Sequence, residues 1–74
     1  MNQQRRSRLR EAAQQIDGAI DVIRDVIWEE SSAMNNMPEN LQGSERYAQM
    51  EDAVDTMEEA ADGLSEISER IAEV

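Results

Sequence analysis

Residues 47–74 read YAQMEDAVDTMEEAADGLSEISERIAEV, and the apolar spacing in this stretch decides the fold. Tyr47, Met50, Val54, Met57, Ala61, Leu64 and Ile71 alternate three and four positions apart, with Ser68 filling the one polar slot. A stripe with that spacing is one face of a helix, and it must bury against another helix. Opposite it lie Glu51, Asp52, Asp55, Glu58, Glu59, Asp62, Glu66, Glu69 and Glu73, a dense row of like charge. Ala53, Ala60, Ile67 and Val74 widen the apolar stripe.

Working back from this stretch, Ser44 follows Gly43 and suits an N-cap, with Glu45 favourable in the first turn. The preceding residues, Asn35 to Gly43, contain Pro38, three Asn and a Gly, which are turn formers. Pro38 biases Met37 away from helical geometry. Further back, Leu9, Ala12, Ala13, Ile16, Ala19, Ile20, Ile23, Val26, Ile27 and Met34 form a second helical stripe. The spacing therefore predicts one all-α domain over residues 1–74. Helix one covers about 4–33, a turn 34–43 and helix two about 44–73. So short a connection makes the helices antiparallel neighbours, a helical hairpin with Met37 and Leu41 tucked over its end.

Each stripe takes about three of every seven positions, wider than a two-stranded seam requires. A lone hairpin leaves one apolar flank of each helix wet, and a chain this short has little core to offset its conformational entropy. The expectation is a homodimer forming an antiparallel four-helix bundle. The competing expectation is a monomer whose Ala-rich flanks tolerate exposure.

Composition excludes much else. The chain has 74 residues, 17 acids, seven Arg, no Lys, no His and no Cys, for a net charge of −10. Without His, Cys or Lys the usual bases and strong nucleophiles are missing, so no enzyme activity and no catalytic residue is expected. Glu30, on the apolar stripe of helix one, is the nearest candidate for a perturbed carboxylate, and a place at the hairpin end beside an Arg suits it better. Disulfides and thiolate metal sites are excluded. No segment has an EF-hand's alternating ligands, and helix-borne acids such as Asp52 and Asp55 cannot wrap an ion, so no metal and no cofactor is expected. No apolar run approaches a spanning length of about 18 residues, and no signal-peptide region follows the N-terminal arginines. A cytoplasmic protein that repels nucleic acid and anionic lipid is expected, its partners being basic protein surfaces or itself.

The acids are unevenly shared. Helix two carries ten against Arg46 and Arg70, whereas helix one has six acids and five Arg. A surface chosen for stability alone would interleave Arg or Lys for i,i+4 pairs. Helix two instead stacks Glu51, Asp55, Glu58, Asp62, Glu66, Glu69 and Glu73 three or four apart. At a rise of 1.5 Å, about 30 residues span about 45 Å, giving about one acid per 4.5 Å against one phosphate per about 3.4 Å along a DNA strand. That density fits a mimic of nucleic acid that occupies the groove of a basic nucleic-acid-binding protein. It fits equally a solvated outer face that supplies solubility.

Three further features allow two readings each. Trp28 lies over 100° from the centre of its helix's stripe and either folds onto Met37, Pro38 and Leu41 or, with Val22, anchors a partner. Arg5, Arg6, Arg8 and Arg10 oppose the helix dipole and either pair with Glu66, Glu69 or Glu73 across the hairpin or make a weak nucleic-acid contact. Gly18 and Gly63, outward and mid-helix, are either tolerated at about 1 kcal/mol each relative to Ala or mark a close approach of a partner backbone.

The turn Asn36-Met37-Pro38-Glu39-Asn40-Leu41-Gln42-Gly43-Ser44-Glu45-Arg46-Tyr47, followed by the acidic Ala-x-x-x-Met-Glu-Glu-Ala helix, resembles a group of small acidic helical-hairpin proteins of Firmicutes bacteria and their phages. The likeness covers about the C-terminal half and implies no particular activity. In size and charge the chain is also similar to phage inhibitors of host defence, among them anti-CRISPR proteins and DNA mimics. Such a protein would act in the bacterial host cell. The functional expectation is thus a non-catalytic acidic protein-binding protein, an inhibitory nucleic-acid mimic using the helix-two carboxylates. The alternative is a structural coiled-coil oligomerisation or assembly module using the apolar flanks and Trp28.

Overall fold

A computed structural model describes residues 1–74, as two long helices packed against each other with no strand. Helix α1 runs Gln3–Asn35 and α2 runs Glu45–Ala72, joined by a single 3₁₀ turn at Glu39–Leu41. The molecule is a rod of 59 × 14 × 12 Å. Its radius of gyration is 17.1 Å, against about 11 Å for a globule of this length. A rod this thin has one seam and no interior beyond it.

Both helices start on a side-chain cap. Asn2 Oδ1 accepts from the Arg5 amide at 2.9 Å, and Ser44 Oγ accepts from the Tyr47 amide at 3.3 Å. Each thereby satisfies an amide that the first turn leaves without a partner. Helix α1 continues two residues past the expected stop, to Asn35, and Asn36 closes it by donating to Ser32 O. Pro38 then holds an extended conformation, the Leu41 amide donates to Pro38 O at 2.9 Å, and Gln42 Nε2 donates to Met37 O at 3.2 Å. No residue takes a positive φ, so the reversal is made with ordinary right-handed and extended backbone. Met37 is half-buried over the hairpin's end, but Leu41 stays exposed, because the 3₁₀ turn carries it away from the seam.

The register of the hairpin is fixed by Ser68. Its hydroxyl donates to Asp17 Oδ1 at 2.6 Å and also approaches Ala13 O at 3.2 Å, so it sits against the α1 turn that runs from Ala13 to Asp17. Stepping a heptad at a time in opposite directions brings Ile20 level with Ala61, Ile27 with Val54 and Met34 with Tyr47. The side chains follow that register. Ala13, Ile20, Met34, Ala61 and Ser68 are buried, and Leu9, Ile16, Ile23, Ile27, Tyr47, Met50, Val54, Met57, Leu64 and Ile71 are half-buried. On α1 the buried and half-buried seam positions are Leu9, Ala13, Ile16, Ile20, Ile23, Ile27, Glu30 and Met34. They alternate four and three apart, as the complementary positions of α2 do. The two helices thus form an antiparallel two-stranded coiled coil with a and d positions in the seam.

Small residues make up most of its buried positions. Three of the five buried residues are Ala13, Ala61 and Ser68, whose short side chains let the backbones approach closely. No large side chain is completely buried. The one buried polar seam residue, Ser68, is thus accommodated by size as well as by its bond to Asp17.

Two outcomes follow for stability, both measured by urea unfolding at one fixed protein concentration. Ser68→Leu forces a branched side chain into the Ala13 layer and should cost about 1–3 kcal/mol, whereas Ser68→Ala should cost about 1 kcal/mol. Gly18→Ala should add about 1 kcal/mol, because a methyl group there meets nothing within 4 Å.

Candidate protein interface

With Leu9, Ile16, Ile23 and Glu30 as d and Ala13, Ile20, Ile27 and Met34 as a, every other position of the two helices acquires a definite side. In a right-handed helix the e and b positions follow a around the axis, and g and c precede d. Reversing one helix reverses its sense of rotation. In an antiparallel pair, e therefore lies beside e and g beside g. The hairpin has an e/b side and a g/c side, and the residues of both helices sort onto them unequally.

The e/b side holds the charge. On α2, Glu51 and Glu58 are at e, Asp55, Asp62 and Glu69 at b, and Glu66 and Glu73 at f on the back. All seven are exposed. Asp52 and Glu59 join the back at f. On α1 the same side carries Arg10, Asp17 and Arg24 at e and Asp21 and Trp28 at b. A shallow groove lined by Arg24, Ile27, Glu58, Ala61 and Asp62 opens there. These carboxylates form no cluster that could hold a metal ion.

The g/c side is its opposite. The g positions are Arg5, Ala12, Ala19, Val26 and Ala33 on α1, and Arg46, Ala53, Ala60, Ile67 and Val74 on α2, each set at sevens and apolar beyond its first member. All but Ala12 are exposed. Val22 stands at c, and the c positions of α2 are Gln49, Thr56, Gly63 and Arg70. Not one of the ten acids of α2 falls at g or c, and α1 places a single acid there, Glu29. Val22 is 62% exposed, Ile67 46% and Val26 41%, so a continuous apolar strip lies open along this side. Three shallow grooves run on it. One lies at the turn end, lined by Glu30, Arg46, Gln49 and Met50. The others, at the open end, are lined by Met1, Arg5, Arg8, Leu9 and Ala12 and by Ile67, Arg70, Ile71 and Val74.

This sorting decides between the two readings of Trp28 and revises two other expectations. Trp28 does not fold beneath the turn, since it is 71% exposed on α1. Val22 and Trp28 are six residues apart and thus about 120° apart around the helix, so they do not make one hot spot. Trp28 instead shares the e/b side with the acidic row, and Val22 belongs to the apolar strip. The N-terminal arginines do not pair with the C-terminal acids: none of the hairpin's side-chain hydrogen bonds joins an arginine to a carboxylate. The reason is again the side each occupies. Arg5 is at g and Arg8 at c, away from Glu69 at b and from Glu66 and Glu73 at f, and only Arg10 lies on the acidic side. Glu30 is half-buried at the hairpin end, in the groove that Arg46 also lines.

An exposed apolar flank on each helix was expected, but not that the two flanks share one side. The signal was the pair of sevens at 12-19-26-33 and 53-60-67-74, whose shared side follows only once the antiparallel register is known. No helix is long and apolar enough to cross a membrane. No protein-family model matches the chain, and no curated protein and no solved structure is significantly similar to it.

Proposed function

We propose that this hairpin is a non-catalytic protein-binding protein whose e/b side engages a basic protein surface of the kind that holds nucleic acid. The observation that carries the reading is the confinement of every α2 acid to the e, b and f positions, leaving g and c free of them. Acids kept only for solubility gain nothing from that one-sidedness, because any exposed position serves solubility equally. Glu51, Asp55, Glu58, Asp62, Glu66, Glu69 and Glu73 supply the charged row, which steers encounter and releases counterions from the basic partner. Trp28, exposed on the same side near the turn, supplies an apolar anchor of the type that dominates interface energies. The resemblance to small acidic phage and Firmicutes proteins fits an inhibitor that blocks the nucleic-acid groove of a host protein. The chain acts as a homodimer, a four-helix bundle that doubles the charged rows.

A second reading, a structural assembly module that binds through apolar contacts alone, is favoured by one observation, the open strip containing Val22 and Ile67. The two differ in salt response and in which residues matter.

The test is capture of partners from bacterial lysate at about 50 mM and about 500 mM salt, followed by competition with duplex DNA. The expected result is a basic nucleic-acid-binding protein, released by salt and displaced by DNA. Replacing Asp55, Glu58, Asp62 and Glu66 by their amides should lower its affinity by at least about tenfold, with a smaller loss for Trp28→Ala. The same fourfold variant should unfold no more easily than the parent, since like-charged neighbours three or four apart repel by about 0.2–0.5 kcal/mol per pair. Its loss of binding would then not be a loss of fold. Capture that resists salt and disappears with Val22→Asp would overturn the mimic and leave the assembly module.

A further inference from the structure

We propose that the g/c side is covered by a second copy of this chain lying end over end, so that α1 crosses the partner's α1 and α2 crosses the partner's α2 in opposite directions. The inference rests on the self-pairing reading above and adds which side is buried and in which direction the copies run.

Four observations lead to it. The first is the deficit of core. With five buried residues and a single seam, the isolated rod buries little for a chain of 74. The second is composition, because the strip is built mostly of Ala with Val22, Val26, Ile67 and Val74. Such a surface is low and even enough for helices to approach closely. The third is charge. Each chain carries a net charge of −10, and two such bodies repel wherever acids meet. The g/c side is the one approach that keeps every α2 acid of both copies pointing outward, and it leaves both e/b sides free for another protein.

The fourth observation sets the direction. At the open end this side carries Arg5, Arg8 and Arg70, and at the turn end it carries Glu29, the half-buried Glu30 and Arg46. Copies running the same way would set three arginines against three arginines. Turned end over end about a twofold axis at the level of Ala19 to Val22 on α1 and of Ala60 on α2, the arginine end of each copy meets the acidic turn end of the other. Arg8 then falls within one helical turn of the partner's Glu29. The apolar strip is centred on that same level, so the arrangement that matches charge also overlaps the strip along its length. Gly63, at c beside Ala60, lies near the axis, and a methyl group there meets nothing within its own chain.

The inference is tested on the whole chain by sedimentation equilibrium over a range of concentrations, with Val22→Asp and Ile67→Asp as variants and Asp62→Asn as control. Both apolar residues are exposed, so the seam is untouched, and circular dichroism checks that helix content is kept. The expected result is a dimer that tightens as salt screens its net repulsion. Each Asp variant should weaken it by at least about 100-fold, because a charge is buried twice, whereas Asp62→Asn should leave it unchanged. A monomer at every concentration would overturn this inference together with self-pairing. A dimer indifferent to Val22→Asp and Ile67→Asp would overturn the choice of side alone and leave self-pairing standing. Direction is read from cysteines placed in a chain that has none, with a short bis-maleimide linker. Val22→Cys should link to itself and Gly63→Cys to itself. Linkage instead between Val22→Cys and Gly63→Cys chains would show the copies running the same way and overturn the direction.

Discussion

The close contact between Ser68 and the Ala13–Asp17 turn of α1 is the constraint from which the rest of the hairpin follows. It combines two requirements in one place. The backbones approach because Ala13, Ser68 and Ala61 are small, and the polar hydroxyl this buries is satisfied by Asp17, itself exposed and solvated. A heptad seam made only of aliphatic side chains can slip by a turn at modest cost. A buried hydroxyl with one good partner cannot, and the choice of register in coiled coils is the best-attested use of such a residue.

Register then determines the surface. Reversing the second helix puts g beside g and e beside e, and this chain has loaded those two columns differently in both helices. The result is a rod with an acidic side bearing Trp28 and an acid-poor side whose middle is Ala, Val and Ile. A two-helix rod has no third layer to cover either side. Each is therefore available for binding, and their chemistries differ enough that one partner cannot satisfy both. Acidic charge selects a basic surface on one side, and the uncharged middle of the other side selects an apolar one. The two functions proposed for this molecule are compatible because they use opposite faces of the same body.

The acidic row also has an internal cost that the seam must offset. Nine of the ten acids on α2 stand three or four residues from another acid on the side or back of the helix, with few cations between them. A protein whose core is this thin retains such repulsion at some expense to its stability. That expense is removable by conservative amide substitutions, which is why stability and binding are expected to move in opposite directions in the same variant. Gly18 adds to the same pattern: it weakens α1 at an open position where an alanine would fit.

Much of this was legible from the residues in order. The three-four alternation from Tyr47 to Ile71, the second stripe from Leu9 to Met34 and the Pro and Asn residues between them determined two antiparallel helices, since helical periodicity and turn chemistry are local properties of the chain. Charge, and the absence of His, Cys and Lys, were equally plain. What only the tertiary structure decided was which residues share a side. Trp28 and Val22 are close in sequence and separate in space, Arg5 and Arg8 are carried away from the acids they were expected to meet, and the two columns at sevens join into one strip. Those relations depend on the direction and register of a second helix, and these are set by a contact between residues 51 and 55 positions apart, which no local pattern encodes.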